Sequence, residues 1–165
     1  MKTTAHIYAS IAAGGAAYGL TGSPAISVSC LLSGVLLDVD HLLDFYLLTD
    51  ERFTFNGFLS WCHELRWKKI YLVLHSYELY FLLVLAACLF TSEVLTGVLL
   101  GMGLHLLMDQ LGNTALNKWF YFMTFRYRSG FASSALATGR GAGGKGSSLS
   151  GSREKRQLPF VWRVK

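Results

Sequence analysis

The sequence predicts an all-α integral membrane bundle of four transmembrane helices, with interfacial amphipathic helices and a disordered C-terminal tail. Three observations lead there. Apolar residues make up 52% of the 165 and charged residues only 15%, against roughly 25% charged in ordinary soluble domains. Four stretches, 3–20, 25–48, 70–91 and 94–112, are apolar over the about 20 residues a bilayer crossing requires. The ionisable residues inside those stretches are few and gather toward one end of each.

The first stretch is the least apolar. Lys2 alone and the Gly14-Gly15 pair make it a poor signal peptide. It reads as a helix packed among others, with Gly15-x-x-x-Gly19 letting backbones approach. Gly97-x-x-x-Gly101 gives the fourth stretch the same character. Orientation follows from Lys and Arg, which are retained on the cytoplasmic side. The connections "TGSP" (21–24) and "TSE" (91–93) have none, whereas Lys2, Arg52, Arg66, Lys68 and Lys69 lie before the first stretch or between the second and third. Both termini and the central loop are therefore expected in the cytoplasm.

Between the second and third stretches, "FNGFLSWCHELRWKK" (55–69) mixes aromatics with charges in the manner of an interfacial helix. "NKWFYFMTFRYR" (117–128) has the Trp and Tyr enrichment of a membrane boundary. The division expected is a transmembrane domain over 1–128 and a Gly/Ser-rich basic tail over 129–165, too poor in apolar residues to bury a core. Its cations suit contact with anionic lipid, and no nucleic-acid partner is expected. "GRGAGGKG" (139–146) imitates a phosphate-binding loop but ends in Gly146 where a magnesium-holding hydroxyl is required, with no strand before it. Cys30, Cys62 and Cys88 are odd in number and widely spaced, which points to neither disulfides nor a zinc ribbon.

Placed on this topology, the intramembrane ionisable groups converge. His6 lies near the start of the first helix, and Asp38, Asp40, His41 and Asp44 near the end of the second. His75 and Glu78 open the third, and His105 and Asp109 close the fourth. Alternating helices bring all of them to the cytoplasmic side. The spacings let side chains share faces: Asp40 with Asp44 and His105 with Asp109 at i,i+4, His75 with Glu78 at i,i+3. A carboxylate at membrane depth is costly without a partner, and imidazole with carboxylate suits zinc, manganese or iron. The set exceeds one tetrahedral shell, so one or two divalent ions are expected, zinc foremost. His6, Asp38, Asp40, His41, His75, His105 and Asp109 are the candidate ligands. Asp44 and Glu78 are candidate general bases, and Asn113 supports Asp109 from one turn on. Lys68, Lys69, Arg126 and Arg128 are candidates to hold a substrate phosphate at headgroup level.

"TTAHIYAS", "LLDVDHLLDF", "LHSYEL" and "GLHLLMDQLGN" together resemble the membrane-bound metal-dependent hydrolase family of inner-membrane-associated hydrolases, one group of which is called LexA-binding. The resemblance spans residues 3–113 and implies metal binding and a bacterial or archaeal cytoplasmic membrane. Leu37 stands where the commonest form has Pro before D-x-D-H, and Ile70, Tyr71 and Leu74 replace its H-R…T-H run. The function expected is hydrolysis of a lipid-borne ester, foremost a phosphoester, at the cytoplasmic interface. Two other readings compete with it. One is a structural metal in a protein that recruits a partner. The other is a cation or proton carrier, disfavoured because the outer helix halves offer only Ser, Thr and Glu93.

Overall fold

The computed structural model describes residues 3–49, 52–63, 69–114 and 116–136. These form helices and no strand: α1 (Thr3–Thr21), α2 (Pro24–Leu36), α3 (Val39–Leu48), α4 (Phe55–His63), α5 (Tyr77–Leu89), α6 (Glu93–Gly112), α7 (Met123–Arg128) and α8 (Ser133–Leu136). Serine hydroxyls start three of them. Ser23 accepts from Ile26 N–H ahead of Pro24, Ser76 from Leu79 N–H, and Ser92 from Leu95 N–H, each satisfying a donor that the first helical turn leaves open.

Helix α2 packs against both α1 and α6, and α6 also touches α1 and α5. Gly97 and Gly101 make the α2–α6 approach close: a Cβ on either would run into the Ile26 carbonyl or the Cys30 carbonyl across the interface. The Gly15 and Gly19 expectation is corrected, since a Cβ there meets nothing within 4 Å. Gly14 is the contact residue of α1, its carbonyl accepting from Ser27 Oγ at 2.8 Å.

Four membrane-spanning helices are not what the described residues support. Two helical runs, Pro24–Leu48 and Glu93–Gly112, are long and apolar enough to cross a membrane. Helix α1 is long enough, but its Ala, Gly, Ser and Thr content dilutes it. The stretch expected over 70–91 is helical only from Tyr77 to Leu89. Residues 70–76 instead form an irregular loop with Leu72 at φ 41°, a left-handed conformation unusual for a branched side chain.

The run 24–48 is also broken. At Leu37–Asp38 the backbone ladder changes from Leu37 N–H on the Ser33 carbonyl to the tighter bonds of Asp40 on Leu37 and His41 on Asp38. Residues 129–136, expected to belong to the tail, pack against the rest of the described residues. Ile70 N–H bonds the Phe131 carbonyl, Asn117 N–H bonds the Leu136 carbonyl, and Leu136 is fully buried. Residues 137–165, with the Gly-rich stretch and its basic residues, lie outside the described residues.

The interior mixes a buried apolar cluster, with Phe45, Leu72, Leu106 and Phe120 in it, with buried polar residues. His6, Asp40, Asp44, His75, His105, Asp109 and Arg126 are buried, while Leu20, Leu82, Leu85, Leu89, Phe90 and Leu111 are exposed.

Candidate metal centre

The buried polar side chains are brought together by α1, the α2–α3 break, the 70–76 loop and α6. Asp38 sits at the break, where its carboxylate makes no capping bond and faces the imidazoles. Its Oδ1 lies 3.5 Å from His105 Nε2, 3.9 Å from His75 Nε2 and 4.0 Å from His41 Nε2. Asp109 Oδ2 is 3.7 Å from both His75 Nε2 and His105 Nε2. Its other oxygen is 3.1 Å from His6 Nε2, and the His6 ring stacks on His105 with centroids 4.0 Å apart.

Hydrogen bonds behind two of the rings fix which atoms face inward. His105 Nδ1 lies 2.7 Å from the Gly34 carbonyl. A carbonyl can only accept, so Nδ1 carries a proton, and in the neutral ring Nε2 presents a lone pair. His75 Nδ1 points at Asp40 Oδ2, 3.4 Å away, and the same argument turns its Nε2 lone pair inward. The two Nε2 atoms stand 3.2 Å apart with the Asp38 and Asp109 carboxylates beside them. With both rings neutral, four acceptors face one another with no donor among them, an arrangement that repels itself until positive charge, a metal ion or a proton on an imidazole, is placed there. The five His–His and His–Asp separations, 3.2 to 3.9 Å, run from the ligand–ligand edge of a tetrahedral shell, about 3.3–3.6 Å for bonds of about 2.0–2.2 Å, to slightly beyond it. The donor set therefore fits a divalent ion. Two triads can be drawn within it, His6 with His105 and Asp109, and Asp38 with His41 and His75, each with donor atoms within 4.8 Å of one another.

Asp40 and Asp44 share a face as their spacing requires, but that face serves the 70–76 loop. Asp40 Oδ2 accepts from Leu74 N–H at 2.6 Å and His75 N–H at 3.2 Å besides the imidazole. It stands behind His75 and orients it, rather than serving as a ligand as the sequence suggested. Asp44 Oδ2 accepts from Tyr71 N–H at 2.8 Å and Leu72 N–H at 3.2 Å, so its work is to anchor the loop. Glu78 does not converge with His75. It accepts from Met123 N–H, Thr124 N–H and Thr124 Oγ1 at 2.8 to 2.9 Å and caps α7. Both expected general bases are occupied by backbone donors.

Arg126 is likewise reassigned. It was expected at headgroup level but is fully buried. Its NH1 donates to the carbonyls of Tyr71 and Leu72 and its NH2 to that of His75 at 2.9 Å. Burial pulls its pKa down to about 10, with Asp40, Glu78 and Asp44 holding it up in part. Asp40, Asp44 and Arg126 therefore grip one seven-residue loop from both its N–H and its carbonyl sides and set the His75 ring. Asn113 donates to Asp109 Oδ1 at 3.2 Å and to Tyr121 Oη at 2.7 Å. Tyr121, whose phenol burial raises above its ordinary pKa, had no signal in the sequence, and neither did the Gly34 carbonyl. Lys69 and Arg128 are exposed, and Lys68 lies outside the described residues.

The centre is open on one side. Asp38 and His41 side chains are 22% and 24% exposed, while those of His75 and His105 are wholly buried. No known protein family, curated protein or solved structure matches the chain, so the site is read from its own geometry.

Proposed function

We propose that this is a membrane-embedded metal-dependent hydrolase acting on a lipid-borne ester, foremost a phosphoester, where the open edge of the centre meets the membrane surface. The observation that carries the reading is the acceptor-only constellation of His75 Nε2, His105 Nε2, Asp38 and Asp109. A structure that sets these four groups against one another, three of them buried, is explained by a cation that they hold. Bound there, a divalent ion supplies two things hydrolysis needs, water ionised near pH 7 and polarisation of the phosphoryl oxygen.

The chain's own residues do the rest. Gly34 and Asp40 hold the two imidazoles in the tautomer that turns lone pairs inward. Asn113 and Tyr121 fix the Asp109 carboxylate. The half-buried Asp38 and His41 leave the approach for a substrate, and Lys69 and Arg128 are exposed cations available to an anionic headgroup. Membrane placement is supported by the two long apolar runs and by the many large apolar side chains exposed on the helices. Four crossings, with both termini in the cytoplasm, would need α1 and the short α5 to span as well and follow from the distribution of Lys and Arg.

The test is turnover in mixed micelles of detergent with phosphatidic acid, phosphatidylglycerol or a prenyl phosphate, with zinc or manganese supplied. Release of phosphate or alcohol that a chelator stops, and that His75→Ala and His105→Ala lack, is expected. Stoichiometric metal without turnover on any of these would favour the rival reading, a structural ion in a protein that recruits a partner.

A further inference from the structure

We propose that the centre holds two divalent ions of unequal exchange, a sealed one on His6, His105 and Asp109 and an exchangeable one on Asp38, His41 and His75. The inference rests on the metal-centre reading above and deepens it.

Three observations lead to it. The first is the number and placement of donors. His6 and His41 stand outside the central four, yet each has its Nε2 directed at one of the two shared carboxylates, His6 at Asp109 Oδ1 and His41 at Asp38 Oδ1. A single tetrahedral ion uses neither, whereas two ions use both and leave Asp38 and Asp109 between them, as carboxylates lie in two-metal sites with ions about 3.5–4 Å apart. The second is charge. Asp38, Asp40, Asp44 and Asp109 lie in or against the cluster, and Arg126, the cation that offsets them among the described residues, is shared with Glu78. With imidazoles neutral, these groups carry a net four negative charges. One divalent ion leaves the centre anionic, and two balance it.

The third observation sets the inequality. His6, His105 and Asp109 have side chains 3%, 0% and 6% exposed. His6 carries a stacked ring on one side, and its Nδ1 is buried. In the other triad Asp38 and His41 are roughly a quarter exposed. An ion leaves by exchanging its ligands for water one at a time, so the triad that water reaches releases first. The exchangeable ion is also the one a substrate meets.

The experiment is release of zinc from zinc-loaded protein in detergent micelles into excess chelating dye, with total zinc measured separately. Two equivalents leaving in two phases at least ten-fold apart in rate are expected. His41→Gln should lose the fast phase and keep the slow one, and His6→Gln should lose the slow phase. Circular dichroism and gel filtration qualify each variant, and where one fails to fold, the wild-type stoichiometry and phases decide. One equivalent that survives both substitutions would place a lone ion among the central four and overturn the proposal while leaving the metal centre intact. Two equivalents released in one phase, or the phases assigned the other way round, would overturn the inequality. Zinc neither retained nor taken up would remove the metal-centre reading itself.

Discussion

Arg126 offers the sharpest test of how the 70–76 loop is held. Its guanidinium is fully buried and serves three carbonyls, those of Tyr71, Leu72 and His75. Arg126→Ala leaves all three without that donor. A hydrogen bond to a charged group contributes about 1.5–3 kcal/mol, but three bonds from one side chain do not add in full. Breaking one partner out of a buried charged network costs about 3–5 kcal/mol, and that is the destabilisation expected. Arg126→Lys keeps the charge but cannot span three carbonyls with one ammonium, so it should fall between wild type and alanine.

The loop also carries the left-handed Leu72, a conformation that costs about 1–3 kcal/mol and persists only while Asp44 and Arg126 hold it. Reversible unfolding by titration with a denaturing detergent in mixed micelles gives the stability, and zinc affinity on the same samples reports whether His75 is still placed. Because the Arg126 pKa is about 10, below the ordinary arginine value, the group stays charged at neutral pH. Burial opposes that charge, so any stability change from its deprotonation is a gain with rising pH and begins only near pH 10. The difference between wild type and variant should therefore be flat from about pH 6 to 9. An Arg126→Ala protein within about 0.5 kcal/mol of wild type, with unchanged zinc affinity, would refute the clamp.

Other consequences can be checked together. Asp40→Asn keeps an acceptor for the Leu74 and His75 N–H groups but weakens the hold on His75 Nδ1. It should fold and bind zinc about 10–100-fold more weakly, measured by competition with a chelating dye. Gly101→Ala drives a methyl into the Cys30 carbonyl and should cost about 1–3 kcal/mol. Gly15→Ala meets nothing and should be neutral or stabilise α1 by about 0.5–1 kcal/mol, both read by the same unfolding titration. Burial, with Asp38 adding to it, pushes the Cys62 thiol up to about 12. In a variant with Cys30 and Cys88 replaced by Ser, alkylation by iodoacetamide at pH 8 should run about 1,000-fold slower than for an unperturbed thiol, followed by intact mass.

The members of the site were legible because chemistry constrains them where helix packing does not. A histidine or aspartate inside an apolar run stands out, and alternating helices bring such residues to one end. What each does was less legible. His75 and Glu78 share a spacing that implies a helical face, but Ser76 caps α5 between them, so His75 belongs to the loop and Glu78 to the helix. The spacing rule fails because the helix begins two residues too late. Asp40 and Asp44 do share a face, yet what that face meets is a backbone loop of Ile70, Tyr71, Leu72, Val73 and Leu74, whose apolar letters read as membrane helix. The break at Leu37–Asp38 has no Pro or Gly at it, and Gly34, which supplies the carbonyl to His105, reads as a packing residue alone. Arg126 sits among aromatics like an interfacial anchor. Its burial depends on carbonyls that only an irregular loop leaves open.

The central claim, that these side chains hold metal, is tested most directly by elemental mass spectrometry of the protein purified in detergent without chelator, wild type beside His75→Ala and His105→Ala. One or two equivalents of zinc, manganese or iron in the wild type, lost from both variants while they remain folded, is the result predicted. No stoichiometric metal in the wild type, and none taken up when these ions are supplied, would contradict the account and return the cluster to a network of polar packing.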